Sequence, residues 1–191
     1  KNLVAGFNLT CVGDKGPFTL ISSKEGNSYA DKIAKRVLKK TKNYKVLSFL
    51  KRGSNERQFG CQNLNLPFVT ICRSRFEDFK EYHTSDDNLN LINEQNLKKT
   101  LKLLISIIKE IQQNTIFEKT LKCEPFFTKY NLVRSTRGKY NSFETDLSNL
   151  AAYTDKNYDE YELSKLLKKS KKEIKKKLSI LREKKIIKEF F

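Results

Sequence analysis

"LVAGFNLTCV", residues 3–12, is a continuous apolar run carrying Val, Phe and Thr, the pattern of a β-strand buried on both faces. Working outward, "DKGP" (14–17) has turn chemistry and "FTLIS" (18–22) reads as a second strand. From Asn27 the period changes. Ala30, Ile33, Ala34, Val37 and Leu38 recur at helical spacing, with Lys and Arg on the opposite side. "YKVLSFL" (44–50) returns to strand character, a polar loop "KRGSNERQFGCQN" (51–63) follows, and "LPFVTICR" (66–73) is another buried-type strand. Strand, helix, strand, loop, strand predicts a layered α/β domain, whose sites collect in loops beyond the strand ends. A long helix is expected over 93–113, its core stripe formed by Leu97, Leu101, Leu104, Ile105, Ile108 and Ile111.

Residues 123–145, with Pro125 and Gly138, read as a connector between a domain at 1–122 and a small unit at 146–191. In the latter, Asp146 and Asp159 are expected helix caps, and Ser170 with Glu173 forms an S-x-x-E capping box. Ile174, Leu178 and Leu181 then face inward, and "IIKEFF" (186–191) closes as a strand. Three short helices and a strand predict a winged helix-turn-helix.

The chain has 191 residues, enough to bury a core as one domain or two, and a formal charge of +17. Residues 163–191 hold 12 Lys/Arg against 3 Asp/Glu. That basic face admits nucleic-acid binding, yet its lysines suit phosphates better than base edges, so packing or partner contact is the preferred role. No apolar run reaches membrane-spanning length, so no membrane partner is expected. Cys11, Cys61, Cys72 and Cys123 lie far apart without a C-x-x-C pair, which argues for reduced thiols in a cytoplasmic protein. The opening at Lys1, directly before a strand, reads as that of an internal fragment.

His83 in "KEYHTSDDNL" (80–89) is the only histidine. Alone, it reads first as a surface or hydrogen-bonding imidazole. Tyr82 before it and Asp86 and Asp87 after it also suit a metal ligand with orienting neighbours. Glu56 and Arg57 could line a pocket or form a solvated ion pair, and Tyr82 could donate a hydrogen bond or simply pack. Arg73 and Arg75 follow a buried strand and could face the pocket, but the preferred reading is a solvent-facing one.

The order "GSNERQ" (53–58), "NLPFVTICRSRF" (65–76), "EYHTSDDNL" (81–89) resembles the C-terminal half of the zinc aminopeptidase and glutaminyl cyclase superfamily. With "AGFNLTCVGD" (5–14), "CEPFF" (123–127) and a winged helix behind, the chain is similar to bacterial aminopeptidase-like proteins associated with polysaccharide and sugar biosynthesis. The resemblance implies a zinc-dependent hydrolase of amide, peptide or N-acyl bonds. It makes His83 a zinc ligand and Asp14 a second candidate, with Asn55, Glu56, Arg57 and Tyr82 at the substrate. The substrate would be a small peptide or amide, sugar-linked ones included, and the protein could be a homo-oligomer. Two departures stand out. Thr10 occupies the place of the usual strand-end carboxylate, and Asn55 replaces an expected aspartate with an amide that supplies no charge. The first ligands and the general base would lie in a missing upstream half of the same domain, so this chain alone is expected to be inactive. Without catalysis, the alternative is a DNA-binding or regulatory protein acting through its basic winged helix.

Overall fold

The computed structural model describes residues 3–133 and 141–190; Gly138 of the expected connector and Phe191 of the last expected strand lie outside them. The chain forms two compact units that meet in sequence at Ile111 and Gln112.

The first unit is a mixed α/β layer. Its strands β1 (Gly6–Leu9), β2 (Phe18–Ile21), β3 (Tyr44–Leu47) and β4 (Phe68–Cys72) lie in the order β1-β4-β2-β3. β1 runs parallel to β4, β2 parallel to β3, and β4 antiparallel to β2. Helix α1 (Tyr29–Leu38) starts where Ser28 and Asp31 cap one another, and buries Ala30, Ile33, Ala34, Val37 and Leu38, the face its period predicted. These residues pack on Leu20, Val69 and Ile71 of the sheet.

Strand alternation sends Thr70 to the opposite face. There, the expected polar loop folds a short helix, α2 (Glu56–Phe59), whose Phe59 ring stacks on Phe68 at 4.1 Å. Close approach explains Gly6 on this face, because a Cβ there would run into the Phe68 ring.

Two expectations need correction. β1 is an edge strand, and Leu9 stays 47% exposed rather than buried on both sides. Helix α3 (Glu94–Gln112) buries Asn96, Thr100, Leu103 and Ile107, whereas Leu97, Leu101, Ile105 and Ile108 of the expected core stripe are exposed. The Thr100 hydroxyl donates to the Val12 carbonyl at 2.9 Å, fixing which side of the helix meets the sheet layer.

The second unit begins earlier than residue 123. β5 (Ile116–Lys119) is the central strand of an antiparallel sheet with β6 (Asp155–Asp159) and β7 (Ile187–Glu189), so residues 112–122 belong here. Around it stand α4 (Ser142–Tyr153), α5 (Glu160–Leu166) and α6 (Lys171–Glu183). Leu147, Leu150, Leu163, Ile174, Leu178 and Leu181 make the core. Asp159 and Ser170 cap as expected, each in a capping box. Asp146 does not cap. Asn141 caps α4, and Asp146 lies inside that helix, buried against Lys177 and Lys169. No described helix is long and apolar enough to cross a membrane.

Candidate functional site

A hollow of about 450 Å³ opens beyond the end of β1. One wall is the loop Thr10–Asp14, the other comes from Phe79, Tyr82, His83 and Asp87, and Leu97 of α3 borders it. Two local features hold the first wall. Arg73 N–H donates to the Cys11 carbonyl at 2.9 Å, and Asn93 N–H to the Gly13 carbonyl at 2.9 Å. Cys11 has φ +47°, turning the chain sharply out of the strand. Burial pushes its thiol pKa upward, and the charges of Asp14 and Asp87 add to that.

His83 sits on the other wall with φ +60°, a left-handed conformation that only a minority of non-glycine residues adopt. Its ring stacks on Tyr82 at 4.0 Å, and Tyr82 in turn meets Phe79 edge-on at 5.6 Å. This aromatic ladder fixes one face of the imidazole while the residue remains exposed.

Asp14 lines the same hollow, but its carboxylate is already engaged. Oδ1 accepts from Gly16 N–H at 2.6 Å and Ser74 Oγ at 2.7 Å, and the Ser74 N–H is 3.2 Å from both oxygens. The residue therefore staples the loop to the segment after β4. Proteins hold zinc with three or four N, S or O donors. Among the described residues, no three His, Cys, Asp or Glu side chains converge into such a set. With Asp14 committed to N–H and O–H donors, the described residues do not fit a complete zinc site.

Of the expected substrate residues, only Tyr82 reaches this hollow. Asn55 and Arg57 are exposed on and beside α2. Glu56 is fully buried beneath it and is held by four donors. Gly53 and Ser54 N–H give bonds of 2.8 and 3.1 Å to Oε1, and Thr70 Oγ1 and Asn8 Nδ2 give bonds of 2.6 and 3.3 Å to Oε2. Burial would raise the Glu56 pKa, but the Thr70 hydroxyl and the two backbone donors outweigh it and hold the group below the ordinary glutamate value. An ionised carboxylate so enclosed anchors α2 to β1 and β4. Asn8 carried the available sequence signal, an amide inside an otherwise apolar strand.

Arg73 and Arg75 are not solvent-facing; they are only 7% and 9% exposed. Arg75 is satisfied, its Nε and Nη2 on Asp78 at 3.2 and 3.0 Å and its Nη1 on Glu77 at 2.6 Å. Arg73 lies over the Phe18 ring at 4.7 Å. The four cysteines are all unpaired.

Known proteins resemble this chain along its length. Over 140 residues it is 37% identical to a Clostridium acetobutylicum protein named "Putative polysaccharide biosynthesis protein with aminopeptidase-like domain", a match covering 72% of this chain and 32% of that one. A crystal structure of a "putative peptidase" from C. acetobutylicum superposes with a TM-score of 0.61 at 29% identity, covering 97% of this chain and 42% of the other. The chain thus spans about a third of the curated relative's length. A family model described as a domain of unknown function, DUF4910, matches residues 1–114, and the chain belongs to that family.

Proposed function

We propose that this chain is part of a zinc-dependent, aminopeptidase-like hydrolase acting on an amide, peptide or N-acyl bond. The hollow beside His83 is its share of the active site. The observation that carries the reading is the placement of the only histidine. It stands exposed on an aromatic ladder at the rim of a hollow, in a chain similar over nearly its whole length to a peptidase-like structure. His83 supplies one metal ligand. The remaining ligands and the general base come from the part of the domain that the longer relatives have beyond this chain's span. Cys11 and Asp87 line the same hollow and shape its charge. Tyr82 orients the imidazole by stacking, and Asp14 keeps the first wall in place. Association with polysaccharide biosynthesis and a sugar-linked substrate, supported by the relative's name, a cytoplasmic setting, supported by composition, and a homo-oligomeric state are parts of the same proposal.

The second unit is proposed to be a winged helix. The order α4, β6, α5, α6, β7 supports this, with β5 completing the three-stranded sheet. A DNA-binding role for it has less support. Lys169 and Lys177 are held by Asp146, and Lys156 and Lys188 by Glu118, which withdraws four cations from phosphate contact.

The test is elemental analysis of the full-length protein beside its His83→Ala variant. Zinc near one ion per chain that falls several-fold in the variant is expected. Equal or absent zinc in both overturns the metal role.

A further inference from the structure

The other side of the Asp14 loop borders a second hollow, of about 470 Å³, with a different chemistry. Lys15, Lys42, Lys99 and Arg73 line it, together with Phe18 and Asn43, and none of its described lining residues is acidic. Arg73 sets it apart from an ordinary basic patch. The residue is 93% buried, and its Nε and Nη1 are enclosed with no hydrogen-bond partner among the described residues. Its backbone, by contrast, is fully used. The N–H donates to Cys11 and the carbonyl accepts from Thr19 Oγ1 at 2.8 Å. Arg73 feels the charge of Asp14, but the oxygens of that carboxylate are taken by Gly16 and Ser74.

A buried cation with unused donors is costly and is normally paired. Two residues on, Arg75 shows the ordinary solution, with a carboxylate on each side of its fork. At Arg73 the described residues supply an aromatic face beneath the guanidinium and ammonium groups around the hollow, but no acceptor for Nε and Nη1. A planar fork backed by lysines is the arrangement that recognises an oxyanion.

We propose that this hollow is an anion site that takes a phosphate group, with Arg73 as the fork and Lys15, Lys42 and Lys99 supplying the field. An adjoining hollow of about 370 Å³, floored by Phe18, Val37 and Leu103, shares Phe18 and Lys99 with it and offers room for an apolar substituent on that phosphate. The site is separate from the His83 hollow and stands whether or not the protein binds zinc.

Calorimetric titration of the full chain at low ionic strength, with inorganic phosphate and with phenyl phosphate, tests this. Both ligands are expected to bind. Equal affinity marks free phosphate as sufficient, and tighter phenyl phosphate marks an ester that also fills the apolar hollow. Arg73→Gln is expected to weaken binding at least tenfold, and Arg73→Lys to retain part of it. Lys172→Gln, which removes one charge from the second unit, is expected to leave binding unchanged. Should Arg73→Gln fail to fold, the exposed pair Lys15→Gln and Lys42→Gln reads the same site and is expected to weaken phosphate several-fold. No binding of either ligand, or equal weakening by Lys172→Gln, overturns the proposal.

Discussion

The two units solve the problem of buried charge differently. In the second, buried Asp146 meets Lys177 and Lys169, and Glu118 meets Lys156 and Lys188. In the first, Glu56 is enclosed by hydrogen-bond donors, and Arg73 has two buried donors without a hydrogen-bond partner among the described residues. In the second unit the buried or half-buried carboxylates Asp146 and Glu118 are each answered by two lysines. The first keeps donors in reserve beside its hollows. A buried guanidinium with unused donors beside a basic hollow is the observation on which the proposed anion site rests.

The comparison can be broken at several levels. Truncating either apolar core should cost about the same, about 2–5 kcal/mol for Leu163→Ala or for Ile71→Ala, since both side chains are fully buried. Urea denaturation monitored by circular dichroism measures this; a negligible cost for one of them would show a core looser than the packing indicates. Next comes Glu56→Ala, which strands the donors of Gly53, Ser54, Thr70 and Asn8 and should destabilise the first unit by about 3 kcal/mol. Glu56→Gln, which keeps an acceptor, should cost less in the same denaturation series. A cost from Glu56→Ala below that of the glutamine variant would refute the anchoring role.

Capping should matter less and equally in both units. Ser28→Ala in α1 and Asn141→Ala in α4 each remove one capping box, at about 1 kcal/mol apiece by thermal melting.

The smallest effect is the acid limb. Burial would raise the Asp146 pKa, but hydrogen bonds from Lys177 and Lys169 outweigh it and hold the group below its ordinary value of 3.8. Its folded pKa is depressed, so its contribution is complete above that ordinary value and is lost as pH falls through the lower folded one. Asp146→Asn should therefore flatten the stability profile below about pH 4 while leaving its shape near neutrality unchanged. Glu110, lowered against burial by Arg36 and Lys40, gives the first unit a limb of the same sign. A profile unchanged by Asp146→Asn would show that the ion pair persists little in solution.

Much of this molecule could be read before folding, and the reason is locality. Helices α1, α5 and α6 were visible because their caps and apolar periods lie within four residues of one another. The α/β rhythm was visible for the same reason. β5 and β6 were not. They are short, β6 reads "DKNYD", and they exist through pairing between residues some 40 apart in sequence. The face of α3 was misread because the helix carries apolar residues on more than one side, and only the sheet layer against it selects Leu103 and Ile107 over Leu101 and Ile108.

The candidate site divides along the same line. Its one histidine, the tyrosine beside it and the acidic residue of the facing loop were chosen from sequence, and all three reach one hollow. That Glu56 is sealed under α2, that Asp14 is a staple, and that Arg73 is buried with two donors unpartnered among the described residues required the tertiary structure. The amino-acid sequence by itself determined the elements with local signals and the residue types able to do chemistry. Folding decided which of those residues are consumed in holding the chain together and which remain free. That choice depends on donors and acceptors brought from distant strands, such as Ser74 to Asp14 and Thr70 to Glu56, and no local pattern encodes it.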